Sequence, residues 1–196
     1  MEKRNLNSGQ IIMFLLMIGI GGRILLDRYT NIETVMVSVF LAAMLLPRHL
    51  SLITSLAIIV VSDWYLGYLP ASGNILASIV IFTYSGFLLV NIFGSKIQKW
   101  MSGKFGSNAV LKFSGAGISF ALIFDLWTNF GVWFLSYEHT VGNLITVYVL
   151  GIPFMLYHMM SSVATFTMIG VPVYYGLSET VDKELSIGNE DAQREH

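Results

Sequence analysis

The chain has 196 residues, 55% of them hydrophobic and only 12% charged, about half the roughly 25% charge content of soluble proteins. The 11 basic and 12 acidic side chains leave a net charge of −1, which is too few charges to coat a soluble domain and no basic field to hold nucleic acid. Cysteine is absent, so disulfides, cysteine-ligated zinc, iron–sulfur clusters and thiol nucleophiles are excluded. With a mean hydropathy of +0.68, lipid is the natural cover for the surface. The expected fold is all-α, a polytopic membrane bundle.

A helix needs about 20 apolar residues to cross a hydrocarbon core of roughly 30 Å. Six segments approach that length: Ile11–Leu26, Ile32–Leu46, Leu50–Leu66, Ile75–Phe93, Val110–Leu135 and Leu144–Tyr175. The first follows Lys3-Arg4, and Gly21-Gly22-Arg23-Ile24 behind it offers no small-x-small cleavage site, so it reads as a retained span. The second is short and opens on Glu33-Thr34, as expected of a helix that emerges early or abuts a polar site. The sixth is long and holds Pro153 and Pro172; each removes a backbone donor, predicting a kink or break. The bundle then occupies residues 1–177, and the polar, acidic residues 178–196 read as a disordered tail.

Orientation follows from the basic residues. With six spans both termini share one side, which also receives Arg48, Lys96, Lys99, Lys104 and Lys112 besides Lys3, Arg4, Lys183 and Arg194. The opposite side keeps Arg23 and Arg28, so both termini are expected in the cytoplasm of a multi-pass cell-membrane protein. Arg23, Asp27, Arg28 and Glu33 read as solvated ion pairs of the first external loop.

Chemistry is sought where hydrophobicity is sacrificed, because an ionisable group at mid-membrane costs about 2.5–3.5 kcal/mol on insertion scales. Asp63 and Asp125 each sit between apolar stretches, the first after Ala57-Ile58-Ile59-Val60-Val61-Ser62 and the second after Phe120-Ala121-Leu122-Ile123-Phe124. At 1.5 Å per residue both should lie in the outer half of outward-running spans, at matching height. Asn129 and Trp133 follow Asp125 at i+4 and i+8, and Gly117 and Ala121 continue that stripe as a surface for close helix approach. Asp63, Asp125 and Asn129 are thus candidate hydrogen-bonding groups of an outward pocket. Tyr65, Trp127 and Trp133 are its candidate apolar walls. A plainer reading stands beside it: Asp63 at the interface with Trp64 and Tyr65, and Asp125 and Asn129 holding helices together. His158-Met159-Met160 diverges around a helix and reads as a packed histidine bonded to a neighbouring helix, not as a copper site. No hydrolase or zincin motif occurs, and no enzyme activity, catalytic residue, metal or cofactor is expected.

Ser62-Asp63-Trp64-Tyr65-Leu66-Gly67, Thr128-Asn129-Phe130-Gly131-Val132-Trp133 and Ile152-Pro153-Phe154 resemble segments of an uncharacterised family of small prokaryotic six-helix membrane proteins. That family in turn resembles the substrate-capturing S components of energy-coupling-factor vitamin transporters. The resemblance implies six helices, capture of a vitamin-like nutrient on the outer side, and partnership with a transmembrane coupling subunit driven by cytoplasmic ATPases. Span one carries Gly19, Gly21 and Gly22 without the Ala-x-x-x-Ala spacing of S components, so a solitary carrier or a subunit of another complex stays open. The expected function is a substrate-binding integral membrane protein of an uptake system, gated by the loops Leu66–Asn74 and Ser136–Asn143. The alternative is a non-catalytic accessory subunit of a larger membrane complex.

Overall fold

The computed structural model describes residues 7–29, 34–69, 75–101 and 107–177. Glu33, Pro70, Gly73, Lys104 and the tail from residue 178 lie outside them. The described residues form six helical segments and no strand: α1 (Ser8–Leu26), α2 (Thr34–Leu45), α3 (Arg48–Leu66), α4 (Ile75–Met101), α5 (Ser107–Ser136) and α6 (Val141–Leu177). Short connections between consecutive helices that pack on one another give an up-and-down bundle. Arg48, Lys96, Lys99 and Lys112 fall at one end; Asp27, Arg28, Glu138 and His139 fall at the other.

Four helices (α1, α3, α5 and α6) are long and apolar enough to cross a membrane. Their outward faces carry large apolar side chains such as Phe154 (66% exposed), Met160 (73%) and Met168 (78%). In water such a surface would drive aggregation; in a bilayer it is the lipid contact. The chain is a helical membrane protein.

The short second span has a physical explanation. At 12 residues, α2 is about 18 Å long, too short to span hydrocarbon. Yet all 12 of its residues are buried. Apolar on every face, it is wrapped by the other helices and forms the core. Phe40 packs edge-on to Phe113 of α5 (6.1 Å between centroids) and against Phe166 of α6 (5.0 Å). Close approach to α2 is bought with glycine. A Cβ on Gly94 of α4 would run into the Ala43 backbone carbonyl, and one on Gly22 of α1 would lie 2.5 Å from Thr34. Thr34 is buried and donates its hydroxyl to the Gly19 carbonyl at 3.2 Å, so this buried side chain finds its partner on α1.

Two helices contain π turns, at Met17–Gly21 in α1 and Phe166–Gly170 in α6. The second lies just before Pro172, so the break expected there takes the form of a widened turn that absorbs the proline's clash. Pro153, by contrast, sits inside continuous helix.

Candidate functional site

Two polar clusters occupy the half of the bundle away from Arg48 and Lys112. The first is built at the end of α3. Asp63 is 5% exposed, and its Oδ1 lies 2.8 Å from Nη2 of Arg23 on α1, an ion pair whose angle falls outside hydrogen-bond geometry. Tyr84 of α4 donates its hydroxyl to Oδ2 at 2.9 Å. Arg23 Nη1 also donates to Ser62 Oγ at 3.4 Å. Three helices therefore converge on one carboxylate.

The chain then turns over this cluster. Gly67 ends α3 at φ 72°, a left-handed conformation that costs glycine nothing. Its turn lets the Tyr68 N–H reach back to the Asp63 carbonyl at 2.8 Å. The Tyr68 ring comes to rest over the Arg23 guanidinium, 5.8 Å from centroid to carbon, while its hydroxyl donates to Asp27. That hydrogen bond, with burial and the Asp27 charge adding to it, raises the Tyr68 phenol above its ordinary value. Arg23 is thus closed in by a tyrosine latch pinned to the end of α1.

The second cluster joins α5 to α6. Asp125 Oδ1 and Oδ2 lie 2.9 and 3.1 Å from Nδ1 of His158, which is buried and meets Phe124 edge-on at 5.8 Å. Three positions of the stripe anticipated on α5, Gly117, Asp125 and Asn129, face α6. A Cβ on Gly117 would lie 2.9 Å from the Phe166 ring, Asp125 meets His158, and Asn129 lies against Gly151, whose Cβ would sit 2.7 Å from the amide. A shallow groove of about 300 Å³ opens beside Asn129, walled by Tyr148, Ile152 and Met155.

α4 serves as a ruler for height. Asp63 stands level with Tyr84, while Phe124 meets Phe87 at a tilt with 4.5 Å between centroids and Trp127 donates to Ser85 at 2.8 Å. The two carboxylates therefore lie within about one helical turn of each other in depth. They turn to different neighbours, however: Asp63 toward α1 and α4, Asp125 toward α6. Trp127, two residues beyond Asp125, points to α4, where it meets Phe82 at a tilt, and stacks with Phe130. Trp133 donates to the Thr140 carbonyl at 3.3 Å and pins the loop after α5. Tyr65 is 64% exposed on the periphery, two residues round the helix from Asp63.

Arg23 is not a solvated loop residue. It lies within α1, with its side chain 14% exposed. Sequence reasoning misses it, with Tyr84 and Tyr68, because Arg23 is grouped there with Asp27 and Arg28 as a loop charge although the span itself runs on to Leu26. The available signal was Arg23 followed directly by Ile24-Leu25-Leu26, a charge inside a span. A third polar knot, Ser51 and Ser55 of α3 bonded to the buried Asn91 of α4, lies toward the other end and was also missed.

These features define a class: an all-helical membrane protein with buried, paired charges in one half of its bundle. The chain belongs to DUF6580, a family of unknown function, which matches residues 3–184. No curated protein and no solved structure matches it.

Proposed function

We propose that this chain is the substrate-binding membrane subunit of a small-nutrient uptake system, multi-pass in the cell membrane with both termini in the cytoplasm. It would work in the manner of the S components of energy-coupling-factor transporters. Its ligand enters from the outer face at the Arg23–Asp63–Tyr84 cluster. The observation that carries this reading is an ion pair between two helices, hydrogen-bonded by a tyrosine of a third, beneath a single tyrosine latch. Charges inside a bilayer are costly, and they normally mark a ligand or ion path. A ligand carboxylate or amide would exchange with the partners of Arg23 and Asp63 once Tyr68 swings away on the Gly67 turn. Expected partners are a transmembrane coupling subunit and the ATPases it carries.

The test is a thermal-shift screen of the purified full chain against water-soluble vitamins, repeated on Arg23→Gln. A compound that raises Tm for the parent and not for the variant supports the reading. A hit of equal size in both moves the site elsewhere.

One observation favours the alternative of an accessory subunit. The Gly117–Asn129 stripe, the best pocket candidate in the sequence, is consumed by packing against α6. A chain that co-purifies with a stable membrane partner, and gives no vitamin-dependent shift, would be such a subunit.

A further inference from the structure

The tight contact between α4 and α5 does not run their whole length. They touch closely where Gly86 meets Phe124 and Gly131 meets Phe82, then part toward the Lys112 end. Small residues on α5 (Gly115, Ala116, Ser119) face large ones on α4 (Phe93, Ile97, Trp100), leaving a groove of about 570 Å³ floored by Phe40 and Phe120. A Cβ on Gly115 would meet nothing within 4 Å. The groove opens sideways past the half-exposed Phe93 (51%) and Ile123 (53%), toward hydrocarbon. Its size falls among ordinary ligand sites of about 300–1,000 Å³, but among the described lining residues the polar side-chain atoms are those of Ser119 and the Trp100 indole. A water-soluble nutrient would find few partners there.

Each wall carries a lysine beside its lining residues. On α4 the apolar stripe Phe93, Ile97, Trp100 includes Lys96 at helical spacing; on α5 Lys112 lies three and four residues before Gly115 and Ala116. Lys112 Nζ donates to the Trp100 carbonyl at 2.6 Å and lies 5.7 Å from the indole centroid. That bond uses one of an ammonium's three donors. Trp100, 52% exposed, stands where interfacial tryptophans stand, at headgroup level.

We infer that the α4–α5 groove binds an anionic phospholipid, one acyl chain between Phe93 and Ala116 and the phosphate on Lys96 and Lys112. An apolar lumen open to hydrocarbon with a cationic rim is complementary to an amphiphile bearing an anionic head. A second copy of the chain docked two-fold on this face would set Lys96, Lys99 and Lys112 against their own images. This site is independent of the outer cluster.

The test is native mass spectrometry of the full chain released from nanodiscs of equal phosphatidylglycerol and phosphatidylcholine. The parent should retain phosphatidylglycerol in preference, and Lys96→Gln with Lys112→Gln should lower that preference about fivefold per lysine. Gly115→Phe, which fills the groove, should release lipid of both kinds, whereas Gly115→Ala should keep the lipid and lose no stability. Parental retention in Gly115→Phe overturns the site, as does a preference untouched by the lysine changes. A dimer that Gly115→Phe converts to monomer, with lipid unchanged, would make the groove a protein contact and also overturn it.

Discussion

Removing the Asp63 carboxylate should be the most damaging single polar change in the bundle. Its side chain is 8% exposed and that of Arg23 14%, so Asp63→Ala strands a guanidinium away from water. Breaking a buried pair by deleting one partner costs about 3–5 kcal/mol, and the Tyr84 hydroxyl loses its acceptor as well. Neutral polar contacts between membrane helices average about 0.6 kcal/mol, so a loss of about 3 kcal/mol stands clear of that background. Arg23→Met should cost a similar amount. The double variant, with neither charge left buried, should recover most of the loss, because replacing a whole buried pair by apolar groups is often neutral. Equilibrium unfolding in mixed detergent–SDS micelles measures all three. Single variants that each lose under about 1 kcal/mol, and add without coupling, would refute the claim that this pair is buried.

The glycines give an opposed pair of outcomes. Gly94→Ala pushes a methyl into the Ala43 backbone carbonyl, which cannot rotate aside, and should cost about 1–3 kcal/mol; Gly115→Ala enters open space and should gain up to about 1 kcal/mol of helix propensity, both read in the same unfolding assay. Asp125→Ala strips the buried His158 of its carboxylate partner and should loosen the α5–α6 contact by about 1–2 kcal/mol, seen as faster amide exchange in α6; unchanged exchange would mean the pair is dispensable. The Tyr68 phenol is raised above its ordinary value, chiefly by its bond to Asp27. A raised phenol stays protonated and donating through the usual tyrosine range, so the latch holds up to that range and is lost as pH climbs through the raised value. Ultraviolet difference titration of the parent against Tyr68→Phe should show this late-ionising phenol, and Asp27→Asn should return it toward about 10.

Much of the architecture was legible because length and apolarity in a bilayer leave few alternatives to helices. The six segments coincide with six helical stretches, and even the shortness of the second was visible. Its cause was not: burial of α2 on all sides is a property of the neighbours, and no periodicity reveals it in twelve residues of which all but Thr34 and Ser38 are apolar. The α5 stripe from Gly117 to Asn129 was likewise legible as a close-approach face. That the face receives α6 follows from Gly151 and His158, whose register against α5 depends on a loop whose geometry spacing alone does not give. His158 and Asp125 were each singled out as mid-span ionisable groups, and their pairing is what two such groups in one bundle require. Asp63 was found as a costly charge, but its partner was assigned to a loop, and Tyr84 lies in a span with nothing local to mark it. Long-range convergence on one carboxylate is the part of a site that local sequence patterns do not encode.

The central claim is that the Arg23–Asp63–Tyr84 cluster receives a small molecule from the outer face. Native mass spectrometry of the full chain extracted gently from its own membranes tests it most directly, by comparing the parent with Asp63→Asn. A small molecule retained on the parent and missing from the variant, with both proteins folded, is the expected result. The same molecule on both proteins, or a bare mass for the parent in every extract, would contradict it.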